Sequence, residues 1–350
     1  MSDFVLILLV KGRVRFTERW LEYMAKINFR HQISIGNGEK KNNPHLKKLI
    51  KKKKYSKLNI TYYSYDNQSY KDYYFMMYDM VKKQKKSRFI KFCDNDDFIL
   101  PGQLDKLIKN IKLDKKCISV GDRAMWFSLI GKIFYNKNIY FWPDNFYRLN
   151  ENFNVKNIKE VFVDFQESFY NIFKKKFILQ TLKEICEINF SDLEIRDFYM
   201  KLRIMMFGQT KFYNQISYVR QHGVSQTSTG DFLYTRNFIN KDISSDVSKL
   251  KKNILKKTKN KSLNKNMIMK EIEEGYISYL NNVITHNIRH LNNKKIFQFK
   301  EFLKKRFKFL FLFIRKVQYL KSNLLVNRNY YEDYSEFKKE LQVVKKFLRN

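Results

Sequence analysis

The stretch Arg88-Phe-Ile-Lys-Phe-Cys-Asp-Asn-Asp-Asp-Phe-Ile-Leu-Pro101 decides the fold. A short apolar run from Arg88 to Cys93 has strand length and stops at three carboxylates, Asp94, Asp96 and Asp97. Pro101 then opens a pattern in which Leu104, Leu107, Ile108 and Ile111 recur at helical spacing. The acids therefore lie at the carboxyl end of a strand, at a strand-to-helix turn, where open α/β sheets bind ligands. Carboxylates this close repel one another unless a cation offsets them. Hard oxygen donors of this kind suit Mg²⁺ or Mn²⁺, which keep several waters and share substrate phosphates. A solvated acidic turn that caps the following helix is the plainer alternative.

The composition weighs on that choice. The chain has 350 residues, enough for two domains or one large one, and is 44% hydrophobic and 17% aromatic. That excludes a disordered basic tail. Its 70 Lys and Arg against 34 Asp and Glu, a net charge of +36, favour anionic partners: nucleic acid, lipid headgroups or diphosphates. A concentrated acidic cluster in so basic a chain favours a metal. Cys93, Cys117 and Cys186 have no metal-type spacing, so a reducing cytoplasm is expected. No signal peptide is read in the apolar run Phe4 to Val10, since nothing positive precedes it and no small-residue cleavage site follows. The apolar run Phe309 to Ile314 is too short to span a bilayer.

Along the chain, Phe4 to Val10 reads as a central parallel strand covered on both faces. Lys11, Gly12 and Arg13 form a basic turn, and Phe16, Trp20, Met24 and Ile27 a helical stripe, with Thr17 either capping that helix or lining the turn. His31 to Ile35 is a second strand, ending in Gly36-Asn-Gly-Glu39. Lys47 to Lys54 reads as a solvated basic helix end, Leu58 to Tyr65 as a third strand and Tyr70 to Val81 as a helix. Alternating strands and helices imply βαβ units, so the expected class is α/β, a mostly parallel sheet flanked by helices. Cys117 to Asp122 continues as a strand, whereas Trp126 to Tyr147 reads as irregular. Ser168 to Phe173 reads as a strand that runs into a helix ending at Cys186. Ser191 or Asp192 caps a helix carrying Phe198, Leu202, Met205 and Met206 and ending at Gly208. Ile216 to Arg220 is a last strand before the polar stretch that runs to Gly230.

That polar stretch is the expected domain boundary, with a catalytic domain over 1–229 and a basic, mainly helical region over 230–350. From Phe297 to Lys316, Phe alternates with Lys and Arg. Such a pattern suits either a basic amphipathic helix on an anionic membrane surface or a helix packed on the main domain with its lysines outward.

Taken together, residues 4 to 229 resemble a family-2-type glycosyltransferase with the GT-A fold, of the bacterial surface-polysaccharide type. Three passages carry the resemblance. The first is Phe4 to Val10 with the Gly36-Asn37-Gly38-Glu39 turn, where Asn37 stands in place of the family's usual Asp. The second is Asn67 followed by Phe92-Cys-Asp-Asn-Asp-Asp-Phe-Ile-Leu-Pro101, which looks like the family's Asp-x-Asp-Asp metal motif. The third is Arg196-Asp-Phe-Tyr-Met-Lys-Leu-Arg-Ile-Met-Met-Phe-Gly208 with Ile216-Ser-Tyr-Val-Arg-Gln-His222. It is similar to an acidic pair opening a helix and a Tyr-x-Arg-x-His strand end, with Arg196 where Glu is usual.

The resemblance implies transfer of a sugar from a nucleotide diphosphate sugar to a glycan or glycolipid hydroxyl, with inversion. It assigns Asp96 and Asp97 to the metal, with Asp94 facing the metal's waters or the ribose. Lys11, Arg13, Asn37, Asn67, Asp94, Arg220 and His222 fall on the donor side. Asp197 takes the place of the general base, and Glu194 and Asp192 stay candidates because the acidic pair is broken. The expected location is cytoplasmic, peripheral to the membrane, with no specific nucleic acid partner. Two other classes stay open. A nucleotidyl- or phosphotransferase uses the same acids, though no Gly-rich phosphate loop is present. A non-catalytic nucleic-acid-binding protein explains the charge but not the acids.

Overall fold

The run Phe4–Val10 forms strand β1, and each of its residues is at most 6% exposed. Alternate side chains enter two cores. Phe4, Leu6, Leu8 and Val10 pack on one face of the sheet, Val5, Ile7 and Leu9 on the other. Full burial of such side chains contributes roughly 1.5–3 kcal/mol each, so this strand anchors both layers.

The computed structural model describes residues 3–39, 44–133, 136–143, 155–163, 169–221, 243–258, 264–292 and 334–349. The further strands are β2 (Gln32–Asn37), β3 (Ile60–Ser64), β4 (Phe89–Cys93), β5 (Phe98–Ile99), β6 (Cys117–Ile133), β7 (Asn136–Pro143), β8 (Ile172–Lys174) and β9 (Gln209–Gln221). They form one nine-stranded sheet in the order β3-β2-β1-β4-β8-β6-β9-β5, with β7 paired to β6. Strands β3, β2, β1 and β4 are parallel, as the alternating pattern requires. Beyond β4 the sheet is mixed: β8 runs antiparallel to β4 and β6, while β6 and β9 are parallel. The chain leaves β1 toward β2 and β3 on one side and returns to β4 on the other, so a switch point opens at the carboxyl ends of β1 and β4.

Helices α1 (Val14–Lys26), α2 (His45–Ile50), α4 (Pro101–Leu113) and α10 (Tyr334–Arg349) cover one face. Helices α3 (Tyr70–Lys83), α5 (Val155–Val163), α6 (Lys175–Ile188), α7 (Leu193–Phe207), α8 (Ile243–Lys257) and α9 (Lys265–Asn292) cover the other. Their starts follow local chemistry. Ser69 caps α3 in a reciprocal capping box with Asp72, Pro101 occupies the first turn of α4, and Asp192 caps α7 through the amides of Glu194 and Ile195. The turn before α1 is tight, with Gly12 and Arg13 both left-handed at φ 70° and 57°.

Three expectations change in detail. Thr17 does not cap α1, whose N-cap is Arg13; it lies buried inside that helix and accepts a hydrogen bond from Asn95 of the acidic turn. The described part of the stretch Trp126 to Tyr147 is not irregular, because β6 continues to Ile133 and β7 runs from Asn136 to Pro143. Aromatic residues crowd that hairpin and mask its alternation. Phe169 and Tyr170 form a turn, so β8 begins only at Ile172. The boundary at Gly230, the residue His222 and the stretch Phe297 to Lys316 lie outside the described residues. On the far side of that boundary, Leu250, Ile254, Ile268 and Ile272 join one core and Phe337, Val344 and Leu348 the other.

A buried ion cluster ties α6, α7 and α8 together. Glu184 accepts from Arg203 Nε at 2.7 Å and Nη2 at 3.1 Å, from the Tyr199 hydroxyl at 3.0 Å and from Lys257 at 2.8 Å. Burial alone would raise its pKa, but these partners outweigh it and hold the carboxyl down at about 2. Because the folded value lies below the ordinary 4.5, this stabilisation is complete above that pH and fades as pH falls toward 2. Arg203→Met leaves a buried carboxylate short of its main partner and should cost about 3 kcal/mol in urea unfolding at pH 7. The deficit should shrink at low pH; an unchanged midpoint at pH 7 would refute the cluster's role.

Candidate functional site

Adjacent parallel strands bring two turns together at the switch point. The register pairs Leu8 with Cys93, so the basic turn after β1 faces the acidic turn after β4. Arg13 Nη2 lies 2.9 Å from Asp96 Oδ2 across that junction. Asn95, buried inside the acidic turn, donates to Thr17 Oγ1 at 2.9 Å and to the Arg13 carbonyl at 3.4 Å. The turn is thus pinned to α1 through the Asn95 side chain, with Asp94 and Asp96 half-buried and Asp97 buried.

Each acid has a separate partner. The Tyr170 hydroxyl, just before β8, donates to Asp94 Oδ2 at 2.7 Å. Arg220 Nε, near the end of β9, sits 3.7 Å from Asp97. Together Asp94, Asp96 and Asp97 present one oxygen each within 4.8 Å of one another. Among the described residues this is the one acidic, Cys or His group with such geometry. A set of convergent hard oxygens at this spacing fits Mg²⁺ or Mn²⁺.

Behind the acids stands a column of rings and cations. The Arg220 guanidinium lies 4.7 Å from the Trp126 ring and 4.2 Å from that of Tyr170, and Tyr170 stacks on Tyr218 with centroids 5.0 Å apart. Lys91, fully buried in β4, donates to the Tyr170 carbonyl and lies 4.8 Å over the Tyr218 ring. On the α1 side, burial lowers the Arg19 guanidinium to about 10, with Asp96 opposing that shift and Arg13 adding to it. The Cys93 thiol, between Lys91 and the acids, is pushed well up by burial first and then by Asp97 and Asp94.

The donor-side candidates at and beyond the carboxyl ends of β1, β2 and β3 form a second group. Lys11 donates to the Asn67 carbonyl at 2.6 Å. Asn37 is buried with its amide engaged at both ends, since Oδ1 accepts from the Glu39 amide and Nδ2 donates to the Tyr62 hydroxyl. Asn37 therefore shapes the turn. A methyl group at Gly38 would approach Asn67 Nδ2 to 2.4 Å, so the Asn67 side chain fills the space that glycine leaves.

The three acids at the start of α7 separate. Asp192 caps the helix, Glu194 accepts from the Tyr279 hydroxyl of α9, and Asp197 accepts from the Tyr74 hydroxyl of α3. Through Tyr74, Asp197 meets α3, the helix whose first turn follows Asn67. Burial first, then the Asp197 carboxylate, keeps the Tyr74 hydroxyl protonated. Arg196 turns inward, donates to the Phe190 carbonyl and lies 5.3 Å from the Tyr74 ring.

Sequence reasoning missed Lys91, Arg19, Tyr74 and Trp126, read Tyr218 only as part of the Tyr-x-Arg-x-His strand end, and did not pair Tyr170 with Asp94. Only Lys91 left a signal, as a charge inside an apolar strand. The others are partners across the fold.

Neither a family model nor a curated protein sequence matches the chain. Solved structures do. TarS of S. aureus, residues 1–349, aligns at 14% identity and TM-score 0.49 over 80% of this chain and 72% of its own. A longer TarS structure aligns at 13% identity and TM-score 0.50 over 80% of this chain and 43% of its own. The mannosyltransferase PcManGT from Pyrobaculum calidifontis, in complex with GDP-Man and Mn²⁺, aligns at 9% identity and TM-score 0.46, covering 99% and 87%. What the longer TarS structure and this chain share is the fold. The chain has a mixed α/β architecture of the GT-A-like kind.

Asn95→Ala should cost about 1–2 kcal/mol, because the buried Thr17 hydroxyl loses a partner and the two turns lose their tie. Urea unfolding measures it, and a stability within error of wild type would show that the turns hold together without Asn95.

Proposed function

We propose that the chain is a metal-dependent glycosyltransferase that moves a sugar from a nucleotide diphosphate sugar to a hydroxyl of a glycan or glycolipid, with inversion. One observation carries this reading: three convergent carboxylates stand at the sheet's switch point, flanked by arginines, on a GT-A-like fold. Acids that close serve a cation, and a basic surround serves a phosphate. The complex of PcManGT with GDP-Man and Mn²⁺ is in keeping with it.

In this reading Asp94, Asp96 and Asp97 hold Mg²⁺ or Mn²⁺, which when bound offsets charge on the leaving diphosphate. Tyr170 fixes the rotamer of Asp94, and the ring column under it keeps that hydroxyl in place. Lys11, Arg13 and Arg220 supply positive charge to the diphosphate side, and His222, two positions after Arg220 in the sequence, is assigned to the same side. Asn37 and Asn67 wall the nucleotide end. Asp197 takes the proton from the acceptor hydroxyl and Tyr74 orients it. Glu194 and Asp192 serve α9 and the helix cap instead. Residues 1–229 form the catalytic part, and 230–350 the basic helical part that brings it to an anionic membrane surface at the cytoplasmic face. Among the described residues no helix is long and apolar enough to cross a membrane.

A calorimetric screen of nucleotide sugars with and without Mn²⁺ tests the reading. Binding should require the ion, and Asp96→Ala should abolish turnover with the fold intact. Full activity in excess chelator would sink the metal. Asp197→Asn should lower turnover by roughly 10²–10⁴-fold with donor affinity nearly unchanged. Loss in Glu194→Gln, with Asp197→Asn near wild type, would move the base by one helical turn. Liposome co-sedimentation at low and moderate salt tests the membrane role, and binding to anionic vesicles should weaken as salt rises. No lipid dependence at either salt would remove that role.

A further inference from the structure

Three arginines crowd the three acids. Arg13 holds Asp96 at 2.9 Å and Arg220 stands 3.7 Å from Asp97. Arg19 shares the Phe16 ring with Arg13, at 4.8 Å and 4.3 Å, donates to Gln221 at 2.6 Å and interacts electrostatically with Asp96. Three guanidinium groups thus face three carboxylates, and much of the acids' charge is offset before any ligand arrives. A divalent cation entering alone meets a guanidinium on an oxygen it needs, with two more positive charges nearby. A diphosphate entering alone meets the carboxylates. Entering together, the two ligands cancel each other's charge.

Arg13 is built to yield. Its backbone is fixed, with the carbonyl accepting from the Phe16 amide at 2.9 Å, the Thr17 amide at 3.3 Å and Asn95 at 3.4 Å. Its side chain is long and reaches Asp96 by one guanidinium nitrogen. We propose that Arg13 is a placeholder for the divalent cation on Asp96. When the cation takes that oxygen, Arg13 turns to the diphosphate of a nucleoside diphosphate, so that the two ligands bind as a coupled pair. This rests on the reading of the acidic turn as a metal site, and it adds a role for Arg13 that charge alone does not imply: removing the arginine should help the metal.

The test counts free Mn²⁺ by electron paramagnetic resonance in titrations of the full chain, alone and with UDP or GDP as separate probes. The variant is Arg13→Asn, which removes the charge and suits the left-handed backbone at φ 57°. Arg13→Lys keeps the charge as a control. The wild type should bind Mn²⁺ about tenfold more tightly with nucleotide than without it. Arg13→Asn should bind Mn²⁺ alone about five- to tenfold more tightly than wild type and lose most of the coupling, with Arg13→Lys near wild type. Binding that Asp96→Asn abolishes but Arg13→Asn leaves unchanged or weakens would overturn the inference and spare the metal site. A wild type that binds no Mn²⁺ under any condition would overturn both.

Discussion

Repulsion among three carboxylates in one turn is the constraint around which the site is built. Within 4.8 Å of one another and at an effective dielectric near 20, each pair of unit charges would repel by at least about 3 kcal/mol. Three elements answer that repulsion. The turn after β1 brings Arg13, the end of β9 brings Arg220, and the turn before β8 brings a tyrosine hydroxyl. The order of strands follows suit, since β1 and β8 are the two neighbours of β4. Lys91 adds a buried positive charge from within β4, tolerated there because a carbonyl and an aromatic face receive it.

The parts that sequence made legible are those in which local pattern and long-range packing agree. Phe4–Val10 is apolar at every position because both of its faces are covered, and Leu104, Leu107, Ile108 and Ile111 are buried on the face of α4 that their spacing predicts. The acids were legible because they interrupt an apolar run in a basic chain. Partners were not. Tyr170 lies 76 positions from Asp94, and Tyr74 lies 123 from Asp197, so no periodicity links them. The β6–β7 hairpin was hidden for a different reason: a run rich in Phe, Tyr and Trp gives the same apolar signal on both faces.

The described helices beyond residue 230 belong to the architecture. Asp246 of α8 accepts from the Ser191 and Asp192 amides at 2.7 and 2.8 Å, and these bonds outweigh burial and keep its carboxyl below the usual range. Glu340 of α10 accepts from the Gly102 amide at 2.6 Å and the Gln103 amide at 3.3 Å, while burial raises its pKa. Phe347 from the same helix packs against Phe98 and Tyr23. The charge of this region therefore coexists with an apolar face turned to the core, and each helix meets the start of another that flanks the candidate site.

Those two carboxylates have a bearing on biosynthesis. Helix α4 follows the acidic turn and α7 carries Asp197, and both obtain amide acceptors at their amino ends from side chains translated much later, across 238 positions for Gly102 and 54 for Asp192. A ribosome that has released only the sheet and its nearer helices presents those amides to water. The sheet can assemble during elongation, because β1 to β4 pair within the first hundred residues. The start of α7 reaches its final surroundings once α8 has left the exit tunnel, whereas the start of α4 waits for α10, so a chain cut short between the two carries one helix end satisfied and the other open to water.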